Sequence, residues 1–85
     1  GEIVATLGVD ALLRVNNISP LSLLARHLSG DWGEVCAEDA QANERALQTG
    51  GRLLSVYTVA GEKCYVITEA GEPRTVTTIL LAAEY

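Results

Sequence analysis

The sequence lacks the features of a membrane-spanning or secreted protein. It contains no apolar run of the roughly 18 residues that cross a bilayer, and no basic segment leading into an apolar one as in a signal peptide. Its only two cysteines, Cys36 and Cys64, are too few for a secreted disulfide scaffold, so we expect both to be reduced thiols. These absences predict a cytoplasmic protein without a membrane partner.

Motifs for cofactor and metal chemistry are missing as well. The sequence has no glycine-rich phosphate loop, no dinucleotide fingerprint and no G-x-S-x-G nucleophile elbow. Its cysteines and its single histidine do not form the closely spaced pairs that begin a zinc site. We therefore predict neither a cofactor nor a metal.

Length and composition indicate one small folded domain, residues 1–85. Of the 85 residues, 48% are apolar and 20% are charged, which is enough for one core. A chain of this size has no room for a separate cofactor domain, so a multi-domain enzyme is excluded.

The negative charge is concentrated in one segment, residues 31–44. Eleven acidic against six basic residues give a net charge of −5, which disfavours nucleic acid as a ligand. The rest of the chain is neutral, and the segment holds five acids without a base: Asp31, Glu34, Glu38, Asp39 and Glu44. Such a segment is typical of a solvated helix face, or it forms a contact surface for a basic partner. For the second interpretation the candidate binding residues are Asp31, Trp32, Glu34, Glu38 and Asp39.

Hydrophobic patterning predicts an α+β fold in the order β-α-α-α-β-β-β. A short N-terminal strand is followed by two to three helices and a three-stranded antiparallel meander. Ser19 and Pro20 are typical of a helix start, and the Gly50-Gly51 pair of a helix end. The predicted strands are 2–6, 52–59, 63–70 and 74–81, and the predicted helices are 9–16, 20–28 and 37–49.

Two predictions concern the faces of these elements. The third helix is expected to pack through a face of mostly small residues: Ala40, Ala42, Ala46 and Leu47. In the strands, alternation places Leu53, Ser55, Tyr57 and Val59 on one face, and Cys64, Val66 and Thr68 on one face.

His27 is the only side chain whose ordinary pKa lies near neutrality. One interpretation makes it a general acid or base whose imidazole is oriented by Asp31. The other makes it a structural histidine at a helix C-terminus, packed on Trp32. Both interpretations stay open at the level of sequence.

A set of short strings spread over most of the chain carries a resemblance. They are Arg26-His27, Gly30-Asp31-Trp32-Gly33, Asn43, Gly51–Ser55 with Tyr57, Val66–Ala70, Thr77–Leu81 and Glu84-Tyr85. In combination they resemble a family of short uncharacterised bacterial proteins, often carried on plasmids and other mobile elements and sometimes named as M subunits of type I restriction endonucleases. The resemblance implies a fold and a genetic setting rather than a reaction.

The chain departs from that family's pattern at three places. Gly71–Arg74 replaces a shorter Asp-Arg turn, Tyr65 stands where the family tends to have Trp, and Ala82 replaces a Pro. The residues do not support the name M subunit, which denotes a DNA methyltransferase. Such an enzyme needs a cofactor-binding fold and a catalytic Pro-Pro-aromatic loop, and the sequence has neither motif.

Two classes of function follow as hypotheses. The first is a non-catalytic binding module. It binds another protein through segment 31–44, or a second copy of itself through one face of a sheet that is largely apolar on both faces. The alternative is a compact metal-independent ribonuclease, because helices followed by a meander look similar to the barnase-like toxin fold. Its catalytic candidates are His27 as acid or base, Arg52 on the phosphate and Thr77 or Thr78 for positioning. This alternative requires His27 and Arg52 to face the same sheet surface.

Overall fold

The computed structural model describes residues 2–71 and 76–85, which form an α+β fold in the predicted order. Its elements are β1 (Glu2–Ala5), α1 (Leu7–Val15), α2 (Pro20–Leu28), α3 (Ala37–Thr49), β2 (Leu53–Val59), β3 (Glu62–Thr68), β4 (Val76–Leu81) and a 3-10 turn (Ala82–Glu84). The predicted turn residues Glu72 and Pro73, and Arg74 at the start of the last predicted strand, lie outside the described residues.

The four strands form one mixed sheet in the order β1-β4-β3-β2. β2 pairs antiparallel with β3, and β3 with β4, so the predicted meander is confirmed. β1 adds a fourth strand, parallel to β4, whose pairing the sequence did not predict. The three helices connect β1 to β2 at the opposite edge of the sheet, and the meander then brings β4 back beside β1.

Side-chain caps set the starts of the first two helices. The hydroxyl of Thr6 accepts a hydrogen bond of 3.3 Å from the backbone N–H of Val9, so α1 begins at Leu7, two residues before the predicted start. Ser19 caps α2 as predicted, with its hydroxyl 3.2 Å from the Leu21 N–H. Within residues 2–71 and 76–85, no helix is both long and apolar enough to cross a membrane.

The third helix packs through a different face from the one predicted. α3 ends at Gly50, whose φ of 78° is readily adopted by glycine, as the glycine pair indicated. It buries Ala46 as expected, but it also buries Asn43 and leaves Ala42 and Leu47 exposed. Two hydrogen bonds turn this face of α3 toward β2: the Asn43 side chain donates to the Leu54 carbonyl at 2.7 Å and accepts from the Leu54 N–H at 3.0 Å.

The main core lies between the helices and one face of the sheet. The predicted alternation is confirmed, because Leu53, Ser55, Tyr57 and Val59 are all buried on this side, which we call the helix side. The core cluster contains Val9, Leu13, Leu23, Tyr57, Val59, Cys64, Val66 and Ile79. Two polar residues, Ser55 and Thr68, are buried with it and therefore need hydrogen-bond partners.

The opposite face of the sheet is only partly covered. Leu54 and Val56 are half-buried there, and the Tyr85 ring lies edge-on against Tyr65 with 5.6 Å between ring centroids. Arg52 extends over the Tyr85 ring, 5.5 Å from its centroid. This face thus carries an aromatic and cationic group of its own, separate from the helix side.

Candidate functional site

A cavity of about 320 Å³ opens at one end of the sheet, beneath α2 and the end of α3. Ligand pockets in proteins have volumes of about 300–1,000 Å³, so this cavity lies at the lower end of that range. The lining is predominantly apolar, and it comprises Glu2, Ile3, Leu24, His27, Leu28, Leu47, Leu53, Thr68, Val76 and Thr77.

The floor of the cavity is one row of cross-strand neighbours. Leu53 pairs with Thr68, Thr68 with Thr77, and Thr77 with Ile3, so the row runs through all four strands on the helix side. Leucines from α2 and α3 line the cavity from above the sheet, among them Leu28 and Leu47. Three large apolar side chains at the mouth are exposed to solvent: Leu28 is 73%, Leu47 50% and Ile3 48% exposed. Exposed apolar side chains that lie together often mark a binding site.

His27 lies against this floor and is almost fully buried, with 2% of its surface exposed. Its Nδ1 lies 2.6 Å from the Ser55 hydroxyl and its Nε2 lies 2.9 Å from the Thr68 hydroxyl. The Thr68 hydroxyl lies in turn 2.8 Å from that of Thr77. A continuous chain of hydrogen bonds therefore runs from Ser55 through His27 and Thr68 to Thr77 at the cavity.

Burial lowers the pKa of His27, because a charged imidazole would lose its hydration there. The neutral ring has one N–H donor and one acceptor, and the two hydroxyls satisfy both. The Trp32 ring packs edge-on against the imidazole with 5.8 Å between centroids. These contacts match the structural interpretation of His27, with its prediction of packing on Trp32.

The prediction that Asp31 orients His27 is wrong. The Asp31 carboxylate accepts from Arg26 Nε at 2.7 Å and from the Gly33 N–H at 3.1 Å. The Arg26 guanidinium lowers the pKa of Asp31, and it also stacks over the Tyr57 ring at 4.3 Å. Ser55 and Thr68 orient the imidazole instead, since they face it from the buried side of the sheet.

The geometry required by the ribonuclease alternative is also not what the fold provides. Arg52 donates to the Tyr85 hydroxyl at 2.7 Å, beside Tyr65 on the face opposite the helices. His27 and Thr77 lie on the helix side, joined through Thr68. The predicted catalytic set is therefore divided between the two faces of the sheet, and the expectation that His27 and Arg52 share a surface is wrong.

Three of the five acids of segment 31–44 have partners within the fold. Besides the pairing of Asp31, Glu44 accepts from the indole N–H of Trp32 at 2.8 Å, and Glu34 accepts from the Thr58 hydroxyl. Trp32 itself is 93% buried and belongs to a small second core cluster. The four predicted binding acids are all exposed, but Asp31 and Glu34 have the partners given above. The side chains of Glu38 and Asp39, in the first turn of α3, form no hydrogen bond or salt bridge with another described residue.

The cysteines and carboxylates do not assemble into a metal site in the described part of the chain. There, no group of three or more His, Cys, Asp or Glu side chains could hold an ion. Cys36 is exposed and Cys64 is buried, and both are free.

Sequence reasoning identified His27 and Thr77 but not the groups that join them. A signal exists, because alternation groups both Ser55 and Thr68 with apolar strand residues, and a hydroxyl on an apolar face needs a partner once that face is buried. The missing information was the register that places both beside α2.

No protein-family model, curated protein sequence or solved structure matches this chain, so its resemblance to the plasmid-borne family stays a prediction and its function is inferred from its own residues.

Proposed function

We propose that this domain is a non-catalytic protein-binding module whose binding site is the cavity beneath α2. A large apolar side chain of the partner protein enters the cavity and contacts the leucines above the floor. The observation that carries the proposal is the exposed apolar mouth formed by Ile3, Leu28 and Leu47 around a preformed cavity. A large aromatic side chain that fills a desolvated pocket of this kind is a common energetic centre of a protein interface.

The polar groups of the cavity favour binding over catalysis. His27 is buried, uncharged and hydrogen-bonded through both ring nitrogens, so it would have to give up a partner to move a proton. Its chain of hydroxyls ends at Thr77, which offers one polar contact at the edge of an apolar site. One such contact among apolar side chains orients an incoming group.

In this proposal the acidic segment 31–44 is no longer the main contact surface, because three of its five acids form hydrogen bonds within the fold. Asp31, Glu34 and Glu44 support the local structure through their own hydrogen bonds. Glu38 and Asp39 stay available to attract a basic partner, an effect that salt would weaken.

A titration with small apolar probes tests the proposal. Indole and 3-methylbutanol imitate Trp and Leu side chains, and binding is followed by the amide resonances of the labelled protein. We expect shifts centred on His27, Thr68 and Thr77, with dissociation constants of about 1 mM.

Matched glutamine variants locate the site. Leu28→Gln and Leu47→Gln place a polar amide at the mouth and should weaken probe binding, whereas Leu21→Gln, an exposed position of α2 outside the cavity, should not. Equal binding by all three variants, or shifts remote from the cavity, would overturn the proposal.

A further inference from the structure

The floor of the cavity stops at the edge of the sheet. Its row of cross-strand neighbours runs Leu53, Thr68, Thr77, Ile3, and Ile3 belongs to the outermost strand β1. A further strand beside β1 would continue the row by one residue. The side chain of that residue would lie next to Ile3, at the mouth of the cavity.

The two edge strands of the sheet, β2 and β1, differ in how far their outer backbone groups are hydrogen-bonded. Along β2, the Trp32 carbonyl accepts from the Val56 N–H at 3.0 Å, and the Glu34 N–H donates to the Val56 carbonyl at 2.7 Å, so residues around Gly33 cover this edge. No described residue pairs with the outer edge of β1. An uncovered edge strand is a template for another strand.

The free backbone groups of β1 can be assigned to particular residues. The Thr6 N–H donates inward to the Ile79 carbonyl at 3.0 Å. Because successive residues of a strand alternate in direction, Val4 also points inward, while Ile3 and Ala5 present their N–H and C=O groups outward. Two residues are thus ready to pair, and one of them ends the cavity floor.

We propose that the partner of this module binds as an extended segment that adds a fifth strand to the outer edge of β1. The inference rests on the proposed function, since the residue opposite Ile3 supplies the apolar side chain that enters the cavity. Main-chain hydrogen bonds to Ile3 and Ala5 hold the segment, and the cavity selects the side chain, which is the usual division in recognition by strand addition.

Charge indicates the chemistry of that segment. In the row next to the cavity floor, Val76 lies between Glu2 and Glu69: Glu2 pairs with Val76, and the Glu69 N–H donates to the Val76 carbonyl at 3.0 Å. Neither carboxylate forms a salt bridge with another described residue. The residue of the added strand opposite Glu2 is therefore Lys or Arg, directly adjacent in sequence to the apolar residue opposite Ile3.

The same charges argue against a second copy of this chain as the occupant. Two copies would each carry a net charge of −5, and neither would bring a base to Glu2 from its own β1. The paired strand is also short: the four residues of β1 extend about 13 Å, which gives a ladder suited to a peptide segment rather than to the broad area of a stable dimer.

Selection from a displayed library of random linear peptides tests the inference. We expect the selected peptides to share an apolar residue adjacent to Lys or Arg. They should bind Ala5→Pro about tenfold more weakly than the wild type, because proline removes an outward N–H without touching the ladder to β4. Ala5→Val, which keeps that N–H, is the matched control and should bind like the wild type, and circular dichroism should show both variants folded.

The outcomes separate this inference from the proposed function. Peptides that bind Ala5→Pro as well as the wild type but lose affinity in Leu47→Gln would overturn strand addition and leave the cavity as the binding site. Selected peptides without the basic neighbour would overturn the charge assignment. A dimer in sedimentation that Ala5→Pro abolishes would make a second copy the occupant and overturn the proposal.

Discussion

His27 and Thr68 are joined by a hydrogen bond of 2.9 Å between Nε2 and Oγ1, although they lie 41 residues apart in the sequence. This contact ties α2 to the end of β3, directly beside the cavity. The imidazole is buried and pairs with two hydroxyls, and burial lowers its pKa.

We expect the folded protein to lose stability as the pH falls below about 6.5, the pKa of an unperturbed histidine. Burial lowers the pKa of His27 in the folded state, so the unfolded chain takes up the proton first. The free energy of unfolding should then decrease by up to about 1.4 kcal/mol per pH unit until the folded pKa is reached.

Denaturant titrations between about pH 5 and pH 7 measure this slope. His27→Gln has no titratable ring and should show a flat curve over the same range. Asp31 and Glu84 also have lowered pKa values, but the stability that they contribute is lost only under more acidic conditions. Parallel slopes for the wild type and His27→Gln would contradict the assignment.

Ser55→Ala should destabilise the protein by about 1–3 kcal/mol, the cost of leaving a buried polar group unpaired. The substitution removes the hydroxyl that lies 2.6 Å from His27 Nδ1 and leaves the imidazole ring in place. Ser22→Ala is the control, because the Ser22 hydroxyl is exposed and its 2.7 Å hydrogen bond to the Ser19 carbonyl lies at the surface, where water can replace it; it should change stability by less than about 0.5 kcal/mol. Thermal or urea unfolding distinguishes the two, and equal effects would remove the argument for a buried hydrogen-bond chain.

Asn43→Ala should also cost about 1–3 kcal/mol, since it unpairs both the N–H and the C=O of Leu54. The control is Gln41→Ala, an exposed position of the same helix. Hydrogen exchange offers a second readout: the Leu54 amide should exchange faster in Asn43→Ala than in Gln41→Ala. Unchanged protection of that amide would show that Asn43 does not hold α3 against β2.

Gly33→Ala should be more damaging than Gly30→Ala, although both glycines have positive φ. A Cβ at Gly30 meets nothing within 4 Å. Gly30→Ala should therefore destabilise the protein only through the left-handed backbone conformation, by about 1–2 kcal/mol. A Cβ at Gly33 would overlap the Val56 carbonyl and the Tyr57 ring, which forces the segment away from the β2 edge. We expect at least about 2 kcal/mol of additional destabilisation in urea unfolding; similar values for the two variants would contradict the close approach.

Much of the fold could be predicted from the sequence because its signals are local. Ser19 and Pro20 begin α2, the Gly50-Gly51 pair ends α3, and alternation places Ser55 and Tyr57 on the same face of β2. The parallel pairing of β1 with β4 could not be predicted, since it joins residues more than seventy positions apart, such as Ile3 and Thr77.

The candidate site was harder to predict for the same reason. His27 was recognised as the unusual titratable residue, but its partners depend on how α2 lies across the sheet. Arg52 and Thr77 looked alike as polar strand residues, yet they belong to opposite faces, because Arg52 turns toward Tyr85. The burial of Asn43 could not be predicted, because its side chain bonds to the backbone N–H and C=O of Leu54. Nearly every residue has these two groups, so the sequence does not indicate which residue would be the partner.

Both proposals require the cavity beneath α2 to accept an apolar group. Intermolecular nuclear Overhauser effects between bound indole and the methyl groups of the protein detect such a group in place. We expect contacts from the indole ring to methyls of Leu24, Leu28, Leu47 and Val76, and their loss in Leu28→Gln and Leu47→Gln. Contacts confined to methyls outside the cavity, such as those of Leu7 and Val15, would contradict that requirement.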